Sequence, residues 1–76
     1  MESKKIVVGI KQTNRAIRDK KAKMVHIAVD TEPTLIKSIL DLCKENSVKY
    51  EMSVTRHEMA LELGIEVPTS FVTELL

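Results

Sequence analysis

Lys5-Ile6-Val7-Val8-Gly9-Ile10-Lys11-Gln12-Thr13-Asn14-Arg15-Ala16-Ile17 is the stretch on which the reading of the whole chain turns. Ile6-Val7-Val8 is a short β-rich run that stops at Gly9, the residue best suited to a tight strand-to-helix turn. Its apolar residues are consecutive instead of alternating, which predicts an internal strand. Beyond Gly9 the apolar period changes from two to about 3.6. Ile10, Thr13, Ala16 and Ile17 form an inward stripe, so Lys11, Gln12, Asn14, Arg15 and Arg18 turn to solvent at a helix start. Such a start presents free backbone N–H groups and a partial positive charge, which suits an anionic partner.

Working outward, the helix runs from about Lys11 to Lys20, with Lys20 and Lys21 where the C-terminal dipole favours cations. Met24-Val25-His26-Ile27-Ala28-Val29 is a second buried strand, and strand, helix, strand over this length predicts a right-handed parallel crossover. Asp30-Thr31-Glu32-Pro33 opens the next helix. Leu35, Ile36, Ile39, Leu40, Leu42 and Cys43 make its inward stripe, and Asn46 is the expected left-handed stop. Val48, Tyr50, Met52 and Val54 alternate with Lys49, Glu51 and Ser53, which predicts an edge strand with one covered face. Thr55-Arg56-His57-Glu58 is a capping box, with Val54 and Met59 as its hydrophobic staple, and Leu63-Gly64 ends that helix. Residues 65–70 form a loop with exposed apolar side chains, and Phe71-Val72-Thr73 begins a last strand. The fold class is α/β, with Ile6, Val8, Ile27, Val29, Leu35, Ile39, Leu42 and Val72 as the expected core.

At 76 residues the chain reads as a single domain spanning residues 1–76. No run approaches the roughly 20 apolar residues of a membrane span, and residues 1–5 lack a signal-peptide apolar region, so a cytoplasmic protein without a membrane partner is expected. Cys43, the only cysteine, leaves no internal disulfide and no cysteine-pair zinc site, and reads as a small core residue. The formal net charge of +1 conceals a polarity along the chain. Residues 1–23 carry eight Lys/Arg against two acids (net +6), while residues 24–76 carry four against nine (net −5). Segregation of this kind implies a basic face, and charge alone leaves open whether that face meets a polyanionic partner or is a solvated lysine-rich helix.

Enzyme signatures fail on spacing. His57-Glu58 resembles the opening of a helical zinc-protease motif, but Leu61 stands where the second histidine must be. Gly9 to Thr13 lacks the second glycine and the Gly-Lys-Ser/Thr ending of a phosphate loop. His26, within an apolar strand, reads as a hydrogen-bonded structural residue. No catalytic residue, metal site or cofactor is expected.

At Gly9-Ile10-Lys11-Gln12-Thr13 the chain resembles the kink-turn RNA-binding ribosomal protein superfamily of the L-seven-Ae and L-thirty-e type, and within it the small bacterial members. The resemblance extends through the Lys-rich connection at Lys20 to Lys23, the strand at 24–29, the acidic-Pro helix start and Leu63-Gly64-Ile65-Glu66-Val67. It implies a three-layer α/β/α sandwich with a mixed central sheet of about four strands. It also implies that Gly9, Lys11, Gln12 and Arg15 approach the tandem sheared G·A pairs and phosphates of a kink-turn, with Asn14 assisting, and that Ile65, Glu66 and Val67 pack against a flipped-out nucleotide. Lys20, Lys21 and Lys23 would chiefly meet phosphate, and Arg18 is a further expected RNA-binding residue. Three features depart from the pattern. Residues 1–5 leave no room for the family's usual N-terminal helix, Pro68-Thr69-Ser70-Phe71 replaces a glycine and alanines after the apolar loop, and Lys11-Gln12 replaces the Asn-Glu pair of archaeal members.

The function this implies is non-catalytic recognition and stabilisation of kink-turn RNA, in ribosomal RNA or a structured messenger leader, with the ribosome as a further partner and a monomer as the free state. The alternative is a protein-interaction module of the same fold that docks through residues 65–70.

Overall fold

The computed structural model describes residues 5–66 and 68–76. In chain order they form β1 (Ile6–Val8), α1 (Ile10–Arg18), β2 (Ala22–Ile27), α2 (Pro33–Glu45), β3 (Lys49–Glu51), α3 (Arg56–Leu63) and β4 (Phe71–Leu75). The four strands make one mixed sheet in the order β1-β4-β2-β3. β4 runs antiparallel to both β1 and β2, while β3 lies parallel to β2. The crossover from β1 through α1 to β2 therefore joins two strands of like direction, with β4 inserted between them.

Strand register assigns side chains to two faces. Val25, Ile27 and Phe71 point to the side covered by α1 and α2, where they pack with Ile17, Ile39 and Cys43 into the main core. On the opposite side Val72 and Ala28 pack with Met59 of α3, flanked by Val54 and Leu63, into a smaller cluster. Helices on both faces complete the three-layer α/β/α sandwich implied by the resemblance. Cys43 is fully buried, and desolvation pushes its thiol pKa up, so it behaves as an inert core residue.

The expected core is corrected at four positions. Ile6 and Val8 are 38% and 39% exposed, because β1 is an edge strand and not an internal one. The interior place belongs to β4, and the rows through Ile6 and Val8 face the side that the short α3 covers only in part. Val29 is exposed because β2 ends at Ile27, leaving it in the turn that follows. Leu35 is exposed in the first turn of α2, with Ile36 taking the inward position instead. Ile27, Ile39 and Val72 are buried, and Leu42 packs against the main cluster while partly exposed. β3 is also shorter than expected: Val48 and Val54 lie outside it, each packed on a different cluster, while Tyr50 and Met52 remain exposed.

All three helices end in the same paired-bond motif. After α1, Lys20 N–H donates to the Ile17 carbonyl and Lys21 N–H to that of Ala16, at 3.1 and 2.9 Å. After α2, Ser47 N–H reaches Lys44 and Val48 N–H reaches Cys43; after α3, Gly64 N–H reaches Leu61 and Ile65 N–H reaches Ala60. These 5→2 and 6→1 bonds satisfy the last carbonyls and require one left-handed residue each. Lys20 (φ 59), Ser47 (φ 57) and Gly64 (φ 72) supply it. The stop of α2 is thus Ser47 and not Asn46, whose φ of −108 is ordinary and whose side-chain amide donates to the Leu42 carbonyl. The start of α3 is the expected capping box: Glu58 N–H donates to Thr55 Oγ1 at 3.1 Å, and Thr55 N–H to Glu58 Oε1 at 2.9 Å.

Replacing Ile39 by Ala should cost about 2 to 5 kcal/mol, the range for a fully buried aliphatic side chain. Leu35→Ala on the same helix should cost well under half as much, and Thr55→Ala about 1 kcal/mol through removal of the cap. Urea denaturation of the three variants checks this ranking; equal destabilisation at 35 and 39 would contradict their difference in burial.

Candidate nucleic-acid interface

Three backbone hydrogen bonds gather the chain's loops at one end of the sheet. Gly9 N–H donates to the Phe71 carbonyl at 2.9 Å, Ala28 N–H to Ser70 at 2.8 Å, and Val29 N–H to Val54 at 2.8 Å. The β1–α1 turn, the β2–α2 loop and the segment entering β4 therefore lie side by side. Gly9 makes the first of these bonds at φ 105 and ψ 160, a conformation essentially confined to glycine.

α1 opens from this end. Its first turn holds no acidic residue and, among the described residues, no side chain caps it, so its N–H groups and partial positive charge face outward. Lys11 and Gln12 are exposed, and Asn14 is half-buried. Arg15 is 81% exposed and 3.9 Å from the Asp19 carboxylate, a loose pair worth little in water. The inward face is pinned at Thr13, whose hydroxyl accepts a 2.8 Å hydrogen bond from Thr73 of β4, both residues being fully buried.

Not every predicted site residue joins this end. Arg18, Lys20 and Lys21 lie at the other end of the nine-residue helix, roughly 14 Å along its axis. Lys21 is linked back by an open groove of about 250 Å³ between α1 and the β1–β4 edge, lined also by Gln12, Arg15, Val7 and Leu75. Lys20 lies outside that groove, with Nζ 3.5 Å from Asn46 Oδ1. In the loop, Ile65 is half-buried and held by its bond to Ala60, while Glu66 is exposed. Val67 lies outside the described residues. The expectation of a loop displaying apolar side chains is thus met only in part at Ile65, because the helix termination draws it inward.

The structure adds residues that the sequence did not single out. Val29 is exposed beside Val54. Asp30 Oδ1 accepts the Arg56 backbone N–H at 2.8 Å, and its other oxygen is 3.7 Å from the Arg56 side chain, so Asp30 serves as a tertiary cap of α3. In the sequence Val29 reads as the last residue of a buried strand, which is no signal of exposure, and for Asp30 and Arg56, 26 positions apart, there is none either. His26 is hydrogen-bonded as expected, with Nε2 2.6 Å from Glu74 Oε2 and Nδ1 3.4 Å from Glu51 Oε1. Among the described residues no three His, Cys, Asp or Glu side chains converge to hold a metal ion.

Residues 1–75 match the family model described as the ribosomal protein L7Ae/L30e/S12e/Gadd45 family. The chain belongs to that family. Among its relatives, a protein of Caldanaerobacter subterraneus subsp. tengcongensis named as an RNA-binding protein is 33% identical over 72 residues, 95% of this chain and 88% of the relative. A Geobacillus protein, also named as RNA-binding, is 36% identical over 64 residues, 84% of this chain and 73% of its own. In fold, this family member superposes on the Giardia lamblia 15.5kD RNA binding protein with a TM-score of 0.86 at 21% identity, covering 93% of this chain and 60% of that one. A Bacillus halodurans protein of unknown function gives the same TM-score at 16% identity, covering 91% of this chain and 69% of the other.

Two substitutions test how the family member holds its α1 start. Space around Gly9 is open, so Gly9→Ala carries only the backbone cost of its conformation, about 1 to 3 kcal/mol. Thr73→Val leaves the buried Thr13 oxygen without its donor and should cost about 1 to 3 kcal/mol. Denaturation midpoints check both; an unchanged Thr73→Val midpoint would show that the hydroxyl pair contributes nothing.

Proposed function

We propose that this chain is a non-catalytic RNA-binding protein that recognises and stabilises kink-turn RNA in the cytoplasm, on ribosomal RNA or a structured messenger leader, with the ribosome as a further partner. The single observation that carries the reading is the basic start of α1 beside the segment entering β4. Family membership and relatives named as RNA-binding proteins support it. Gly9 lets an RNA backbone approach without a Cβ in the way, and the N–H groups behind it suit a phosphate. Gln12 and Arg15 face the same groove, one offering a donor and acceptor and the other a fork of donors for guanine edges in sheared G·A pairs. Lys11 and Asn14 flank them, and Ile65, Glu66 and Val67 contact an unstacked nucleotide. Arg18, Lys20 and Lys21 serve phosphates of the adjoining helix, Lys21 at the far end of the groove.

Docking of a protein through residues 65–70 is less well supported. Ile65 is half-buried and Thr69 buried, with its hydroxyl bonded to the Phe71 carbonyl, so the described part of that loop offers little apolar surface.

The two basic sets should fail differently. Gln12→Ala or Arg15→Ala should remove preference for RNA with intact G·A pairs, at about 1 to 3 kcal/mol each. Lys20→Ala or Lys21→Ala should weaken matched and G·A-disrupted RNA alike and reduce the salt slope by up to about one unit for each phosphate left without its cation. Titration of both RNAs across a salt series checks this, and uniform effects from all four substitutions would reduce α1 to an electrostatic patch.

A further inference from the structure

We propose that the free edge of β3 pairs with itself, joining two copies of this chain antiparallel about Tyr50 into one continuous sheet. The inference is independent of the RNA reading. Among the described residues β3 ends the sheet and is paired only with β2, so its other side offers backbone N–H and C=O groups with no strand beside them. Short edge strands and edge charges commonly blunt such pairing, and β3 has only three residues. Its charges are nevertheless complementary across the edge, since Lys49-Tyr50-Glu51 pairs with itself when inverted. In an antiparallel register centred on Tyr50, Lys49 stands opposite Glu51 of the second copy, and two-fold symmetry repeats the pair. Tyr50 meets Tyr50. Directly opposite residues bring their Cβ atoms within about 4.5 to 5.5 Å, close enough for ion pairing and for the rings to touch.

The two faces of the sheet support the same register. Glu51 is in register with His26 and its carboxylate lies 3.4 Å from Nδ1, while His26 hydrogen-bonds Glu74, giving a row of carboxylate, imidazole and carboxylate. Lys49 of the second copy would extend that row beside Glu51, whose side chain is half exposed. On the other face Tyr50 is 42% exposed, and the pairing would set it beside its counterpart from the second copy. β3 is also the strand farthest from β1, so the pairing leaves the groove along α1 open.

Sedimentation equilibrium on the full chain tests the pairing, with circular dichroism to confirm that each variant is folded. The wild type should show a concentration-dependent monomer–dimer equilibrium. Lys49→Glu makes an all-acidic edge and Glu51→Lys an all-basic one, and each alone should dimerise about tenfold more weakly or worse. Mixed in equal amounts, the two variants should associate at least as strongly as the wild type, because every cross-strand pair is again of opposite sign. A wild type that stays monomeric to about 1 mM overturns the proposal. So do single variants that dimerise as the wild type does, or a mixture no stronger than its components. If Glu51→Lys fails to fold because the carboxylate beside His26 is gone, the wild type decides. Isotope-filtered NOEs in a half-labelled sample should join Tyr50 rings of different copies, and intermolecular NOEs confined to other surfaces overturn the pairing.

Discussion

The strand Phe71–Leu75 is hydrogen-bonded on both sides, to β1 and to β2, and this double pairing is the constraint on which the rest of the structure depends. β1 and β2 are joined within the sheet only through it. Its two faces feed both cores, Phe71 below α1 and α2 and Val72 against α3. Its third residue, Thr73, holds α1 by the buried hydroxyl pair with Thr13. β4 is thus an interior strand of the sheet, and it holds the β1–α1 unit from two sides, by strand pairing and by the buried hydroxyl pair.

The candidate interface is a consequence of that insertion. Gly9 turns where its N–H meets the first carbonyl of β4, and the residues just before β4 are held against the end of β2 by the bond from Ala28 to Ser70. The same event that closes the sheet sets the start of α1 beside the loop from α3. Termination of α3 acts in the same place: the left-handed Gly64 directs the chain so that Ile65 closes back on Ala60, which fixes where the loop departs. Asp30 then ties the far end of α3 to the β2–α2 loop. Each of these bonds satisfies a backbone group at a helix or strand end, so the interface is held by the same bonds that finish the secondary structure.

Charge is distributed over this scaffold by sequence halves. The cations of residues 1–23 follow α1 and its exit, while acids predominate in the remainder. Glu51 and Glu74 flank His26 on the sheet face away from α1 and α2, where the half-buried imidazole is hydrogen-bonded to Glu74 and lies 3.4 Å from the Glu51 carboxylate. α1 thereby keeps an exposed basic surface with only one loose acidic neighbour, Asp19, among the described residues. The charge separation is a property of the fold's layers as well as of the chain.

Local chemistry in the sequence determined the elements and their punctuation. Gly9 marked the turn, Thr55 and Glu58 the capping box, Gly64 the end of α3, and the stripe of Thr13, Ala16 and Ile17 the buried side of α1, with Lys11, Gln12 and Arg15 outside. All of these depend on neighbours within a few positions, where backbone sterics and helical period suffice. The tertiary structure alone decided which strand is interior. Ile6, Val7 and Val8 read as a buried run, yet a strand's burial depends on what lies beside it, and β4 arrives from more than 60 positions away. It decided likewise that Ser47 replaces Asn46 as the left-handed residue, since the bond from Val48 to Cys43 sets the geometry of that turn. Arg18 was grouped with the α1 start as one of its solvent-facing residues; the length of a nine-residue helix sets it apart from that start. Asp30 and Arg56 met only because β2 and α3 share an end of the sheet, a proximity that no spacing along the chain encodes.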